Sequence, residues 1–111
     1  MALRDKLPRE DCFTTQRGTA TVTIEETGRG VMLPWIHFQH AIYQEGRIVL
    51  HFPGRYVEIL GERLMGLWVE LQQQNIATIR RSGGAQTGGC TIHSLQVIVE
   101  DDDRRDQLPL L

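Results

Sequence analysis

The stretch from Trp35 to Leu60 constrains the fold of this chain more than any other. It holds three apolar-rich runs separated by two glycine turns, Glu45-Gly46 and Pro53-Gly54. Short runs rich in Ile, Val, Tyr and Phe, broken by X-Gly dipeptides, are the signature of antiparallel hairpins. A second strand signal lies upstream. In Thr19 to Glu25, Ala20, Val22 and Ile24 alternate with Thr19, Thr21, Thr23 and Glu25. A period of two gives a strand with one buried and one wet face.

The first hairpin admits two registers. A two-residue loop at 45–46 pairs Tyr43 with Ile48 and His40 with His51. A three-residue loop at 44–46 pairs Ile42 with Ile48, His40 with Leu50 and Phe38 with Phe52. The second register sorts the side chains. One face becomes Ile36, Phe38, His40, Ile42, Ile48, Leu50 and Phe52, and the other His37, Gln39, Ala41, Tyr43, Arg47, Val49 and His51. A one-residue slip moves every side chain across the sheet, so the sorted register is expected. Beyond Pro53-Gly54, Phe52 opposite Arg55 places Leu50 against Val57 and Ile48 against Ile59.

The apolar face needs a cover. Between Glu62 and Asn75, the residues Leu64, Leu67, Trp68 and Leu71 recur at helical spacing, with Asn75 as the stop. Gly66 inside this helix suggests a close approach to the sheet. A short strand at Ile76–Arg80 and a last one at Thr91–Val99 follow, the latter with Leu95, Val97 and Val99 inward. The expected class is α+β: an antiparallel β-meander with one helix packed on one sheet face, ordered β-β-β-β-α-β-β.

At 111 residues and 41% hydrophobic, the chain suits one domain with one core. That domain is expected at 13–99. Residues 1–12 read as a flexible arm, Ser82 to Gly89 as a flexible loop, and 100–111 as an acidic tail. The net charge of −2 resides in the tail, while 12–99 carry seven Arg against six Glu. So small a charge gives no bulk attraction to nucleic acid, which is not expected as a partner. No apolar run is long enough for a transmembrane helix, and the N-terminal residues lack the apolar core of a secretory signal. Two cysteines, Cys12 and Cys90, make no disulfide framework. Reduced thiols and a cytoplasmic location are expected.

Chemistry is sparse. In the sorted register Gln39, His51 and Tyr56 lie side by side, Ala41, Val49 and Glu58 form the next row, and His37 is diagonal to His51. Cross-strand neighbours sit about 5 Å apart, so His37, Gln39, His51, Tyr56 and Glu58, with Tyr43 and Val49, form the candidate binding face. Histidine beside a carboxylate could support acid–base chemistry near neutral pH. An open sheet face does not exclude water, however, and makes a poor catalytic pocket. Cys90-Thr-Ile-His93 has half the spacing of a zinc site but lacks nearby partners. The Gly83–Gly89 run lacks the Gly-Lys-Ser/Thr ending of a phosphate loop. Arg29, Arg47, Arg55, Arg80 and Arg81 could form a basic patch, though acids are interleaved. Glu25-Glu26 is expected to face solvent. No catalytic residue, metal or cofactor is expected. The resulting expectation is a small cytoplasmic, non-catalytic module for protein–protein interaction or self-association, for example as a homodimer. The alternative is a small-molecule-binding protein or weak enzyme that uses the His/Tyr/Glu cluster.

Overall fold

The computed structural model describes residues 12–81 and 90–100. The arm before Cys12, the glycine-rich 82–89 segment and the tail from 101 lie outside the described residues. Among the described residues there are eight strands and one α-helix. They are β1 (Phe13–Thr15), β2 (Thr21–Glu26), β3 (Arg29–Pro34), β4 (His40–Gln44), β5 (Arg47–Phe52), β6 (Arg55–Glu62), α1 (Met65–Gln72), β7 (Ile76–Arg80) and β8 (Thr91–Val99). A single 3-10 turn, Trp35–His37, joins β3 to β4.

The strands form two four-stranded sheets, ordered β1-β7-β2-β3 and β4-β5-β6-β8. Neighbours are antiparallel except β2 and β7, which run parallel. The α+β class expected from the sequence holds. The layering differs from the expected single sheet. Val22, Ile24, Leu33 and Ile79 of the first sheet share one buried cluster with Ile48, Leu50, Phe52, Val57, Ile59 and Leu95 of the second. Leu64, Leu67 and Leu71 add the helix to that cluster. Burying each such side chain stabilises the fold by about 1.5–3 kcal/mol. An eight-residue helix is only about 12 Å long, while four strands span about 15–20 Å. The helix alone therefore cannot cover the sheet, and the first sheet supplies the rest.

The β4–β5 hairpin takes the two-residue register. His40 faces His51, Ala41 faces Leu50, Ile42 faces Val49 and Tyr43 faces Ile48. The expected three-residue loop is thus corrected. The cause lies at the start of β4. Pro34 and the 3-10 turn end the previous run, so residues 35–44 are not one strand. The Gln39 N–H donates to the His51 carbonyl, 2.9 Å, while His40 is the residue paired with His51. Two residues therefore oppose one, as in a bulge, and the alternation flips there. Phe38 points in, His40 and Ile42 point out, and Ala41 and Tyr43 turn in. Ile36, assigned to the core face, is 85% exposed. The β5–β6 register is the expected one, with Leu50 opposite Val57 and Ile48 opposite Ile59. The Thr27-Gly28, Glu45-Gly46 and Pro53-Gly54 turns each carry glycine second, at φ 82°, 78° and 78°. A positive φ there is what a type II turn requires.

The helix is shorter than its apolar pattern. Arg63 adopts a left-handed φ of 56° just before it, which separates β6 from α1. At the other end Gln74, not Asn75, reverses the chain, at φ 54°. The Gln74 N–H reaches the Leu71 carbonyl at 3.0 Å, and the Asn75 N–H reaches that of Glu70 at 3.5 Å. This is a Schellman-type ending. Gly66 has no heavy atom near its absent Cβ, so the suggested close approach does not occur there.

The expected reduced thiols are also corrected. Cys12 and Cys90 form a disulfide across 78 positions, with Cα atoms 6.2 Å apart. Each cysteine immediately precedes a strand, β1 in one sheet and β8 in the other, so the bond staples the two sheets together. Cys12 is buried and belongs to the folded body rather than to an arm.

Candidate functional site

The outer face of the second sheet is the candidate site. Two-residue alternation sends His40 and Ile42 of β4, Val49 and His51 of β5, Tyr56 and Glu58 of β6, and Gln96 and Ile98 of β8 to this side. His40, His51, Tyr56 and Ile98 form one row. The His40 and His51 rings stack with centroids 4.3 Å apart and planes 13° apart. The Tyr56 ring follows at 5.7 Å and 29°. A flat strip of three rings results, in the offset arrangement that aromatic quadrupoles favour.

The candidate residues divide as follows. His51, Tyr56, Glu58 and Val49 do lie on this face. Gln39 lies before β4, and His40 takes the place beside His51 that had been expected for it. His37 ends the 3-10 turn and is not diagonal to His51. Tyr43 points to the interior side and stacks on Trp68 at 5.4 Å. Val49 is only 3% exposed, so it supports the face without being offered to a partner. The sorted register places His40 and Ile42 in the core, and only a bulge near Trp35 turns His40 outward. Their signal was in the sequence as the unsorted hairpin register with its two-residue turn.

Glu58, the carboxylate on this face, is held in an ion pair. Arg47 Nε donates to Glu58 Oε2 at 3.0 Å. The carboxylate is thus engaged by a guanidinium one row away from the rings. The arginines do not gather into a patch either. Arg29 pairs with Glu26, Arg47 with Glu58 and Arg80 with Glu25. Cys90 is held by Cys12 and His93 lies beside Glu62, 3.5 Å away. The Cys90-Thr-Ile-His93 spacing therefore holds no pair of metal ligands.

Glu26 has a lowered proton affinity. It sits at the end of β2 and accepts the backbone N–H of Val97 in β8 through Oε2. Arg29 Nε donates to its other oxygen. The Val97 N–H holds the carboxyl below its usual range, burial opposes this, and the Arg29 hydrogen bond and charge add to the lowering. The expectation that Glu26 faces solvent is corrected: its side chain is 13% exposed. It links the two sheets and occupies the free edge of β8.

Depressions in the surface lie beside these elements. A cleft of about 350 Å³ is lined by Met32, Leu33, Pro34, His37, Phe52, Pro53 and Arg55. A smaller groove of about 190 Å³ runs between β4 and α1, with Phe38, Ala41, Trp68 and Leu71 in its walls, and a further depression of about 280 Å³ lies beside Glu26, Arg81 and Gln96. Among the described residues no helix is long and apolar enough to cross a membrane. No family model, no curated protein and no solved structure matches the chain.

Proposed function

We propose that this protein is a non-catalytic binding module that engages a protein partner, including its own copy, through the outer face of the β4-β5-β6-β8 sheet. The ring strip of His40, His51 and Tyr56 carries this reading. Stacked rings on a sheet have little rotamer freedom left to lose, and aromatic side chains are enriched where protein partners meet. Exposed Ile42, at 44%, and Gln96 flank the strip with apolar and hydrogen-bonding surface. The face is open to water and its carboxylate is held by Arg47, which disfavours a catalytic role.

The test is photo-crosslinking with p-benzoyl-phenylalanine in place of Tyr56, alongside the same substitution at exposed Val69 on the helix. Adducts specific to position 56 support the reading. An equal background at both positions defeats it. A second, small-molecule reading draws on the cleft, whose volume suits a ligand. Arg55 and His37 there favour an anionic head on an apolar body. A thermal-shift series of aryl and alkyl carboxylates checks it, and a flat series removes it. As for compartment, the cytoplasmic expectation rested on reduced thiols and on N-terminal residues without the apolar core of a secretory signal. The Cys12–Cys90 bond favours an oxidising location instead. Thiol trapping of the protein as isolated from cells decides between the two.

A further inference from the structure

Edge strands expose rows of unpaired backbone groups, and proteins guard them with charge, proline, shortness or a cover. Of the four edges among the described residues, three are guarded. β8 is covered by Glu26, which takes the Val97 N–H. β3 carries Arg29 and ends in Pro34. β1 has three residues. The fourth, β4, is His-Ala-Ile-Tyr-Gln; its bulge sits at the entry, at Gln39–His40, and from Ala41 on it has no Asp, Glu, Lys, Arg or Pro.

The hairpin geometry fixes which of its groups are free. In a two-residue hairpin the flanking residues, here Gln44 and Arg47, exchange backbone bonds, and the pattern alternates from there. Ile42 and His40 thus bond to β5. The N–H and C=O of Ala41 and Tyr43 point away from it. We propose that this edge pairs with the same edge of a second copy, antiparallel and centred on Ile42. This rests on the binding-module reading and names its partner.

The strand is self-complementary in that register. Ala41 lies opposite the partner's Tyr43, and Tyr43 opposite the partner's Ala41, so the four outward groups of each chain form four hydrogen bonds. On the inner side a small residue meets a large one, and the partner's Tyr43 lies over Ala41 at the wall of the Phe38–Trp68–Leu71 groove. On the outer side the two exposed Ile42 side chains meet on the twofold axis. Each His40 faces the partner's Gln44, whose amide oxygen accepts a hydrogen bond. No like charges are opposed. The ring strips of the two copies then belong to one continuous eight-stranded sheet.

The register gives a position-specific test. Ile42 faces its own copy as a non-hydrogen-bonded pair, with Cα atoms about 4.5 Å apart, inside the range for a disulfide. The native cysteines are already joined to each other. Under mild oxidation the Ile42→Cys chain should crosslink to twice its mass at least about tenfold faster than the His40→Cys or Gln44→Cys chain alone. A mixture of the last two should crosslink with each other. Ala41→Pro, which removes an edge N–H but no β4–β5 bond, should abolish the Ile42→Cys crosslink while the circular dichroism spectrum is kept. Equal rates at positions 40, 42 and 44, or no crosslinked product, overturn the proposal even where Ala41→Pro fails to fold. In that event a specific adduct at position 56 with a different protein leaves the binding-module reading standing.

Discussion

Replacing Gly61 by alanine probes the closest approach between strands in this protein. Gly61 sits where the β6–β8 register shifts, between Leu60 and Gly61. A Cβ there would lie 1.9 Å from the Thr91 carbonyl oxygen and 2.9 Å from Ile92 Cα. Ordinary contact needs roughly 3.4 Å, so the start of β8 must retreat by about 1.5 Å. Such a shift stretches the two hydrogen bonds of the last rung, where Glu62 faces Thr91, beyond useful range; the Gly61 N–H is bonded on the other side, to the Gly46 carbonyl. Two ladder bonds at about 1 kcal/mol each, with strain of about 1–2 kcal/mol, give a loss of about 3–4 kcal/mol. The disulfide at Cys90 allows the strand little escape. The expected fall in melting temperature is roughly 12–30 °C. Gly66→Ala is the matched control. It meets no atom within 4 Å and should stabilise the helix by about 0.4–1 kcal/mol. Urea denaturation of both variants, followed by Trp fluorescence and circular dichroism, measures the difference. A Gly61→Ala chain within about 0.5 kcal/mol of wild type, less than a single ladder bond, would refute the reasoning.

Two other perturbations test the joins between the sheets. Reducing the Cys12–Cys90 bond frees a loop of 78 positions and should remove about 4 kcal/mol of stability through unfolded-state entropy. Denaturation with and without a phosphine reductant reads this directly, and coincident curves would count against a stapling role. Glu26 has a folded-state pKa below its unfolded value. Its contribution is therefore complete above the ordinary carboxyl range and fades as the pH falls through the lower, folded-state value. Glu26→Gln should cost about 1–2 kcal/mol at neutral pH and flatten the acid limb of stability against pH. Parallel acid limbs for the two proteins would show that the carboxylate does not make this link.

Much of the scaffold is legible in the residue order. Alternating Val22 and Ile24, the glycine turns and the Leu64–Leu67–Leu71 spacing specify strands, hairpins and a helix locally, because each pattern reflects a period of its own element. The α+β class and the β5–β6 register follow from these local signals. The candidate face was half legible. His51, Tyr56 and Glu58 sit on strands whose phase a Pro-Gly turn sets. His40 and Ile42 were lost because side-chain sorting within one hairpin ignores what lies across the core.

Tertiary structure decided the rest. The β4 phase depends on the irregularity at Gln39–His40 and on the Trp68 ring, which receives Tyr43 from the helix; neither is visible within the hairpin. The split into two sheets depends on a parallel contact between β2 and β7, strands that lie some fifty residues apart. The disulfide depends on the same closure, since two cysteines 78 positions apart carry no sign of meeting until the sheets stack. Local periodicity determines which side chains can share a face. Only long-range packing determines which face finds a partner inside the molecule and which, like the outer surface and edge of β4, stays exposed.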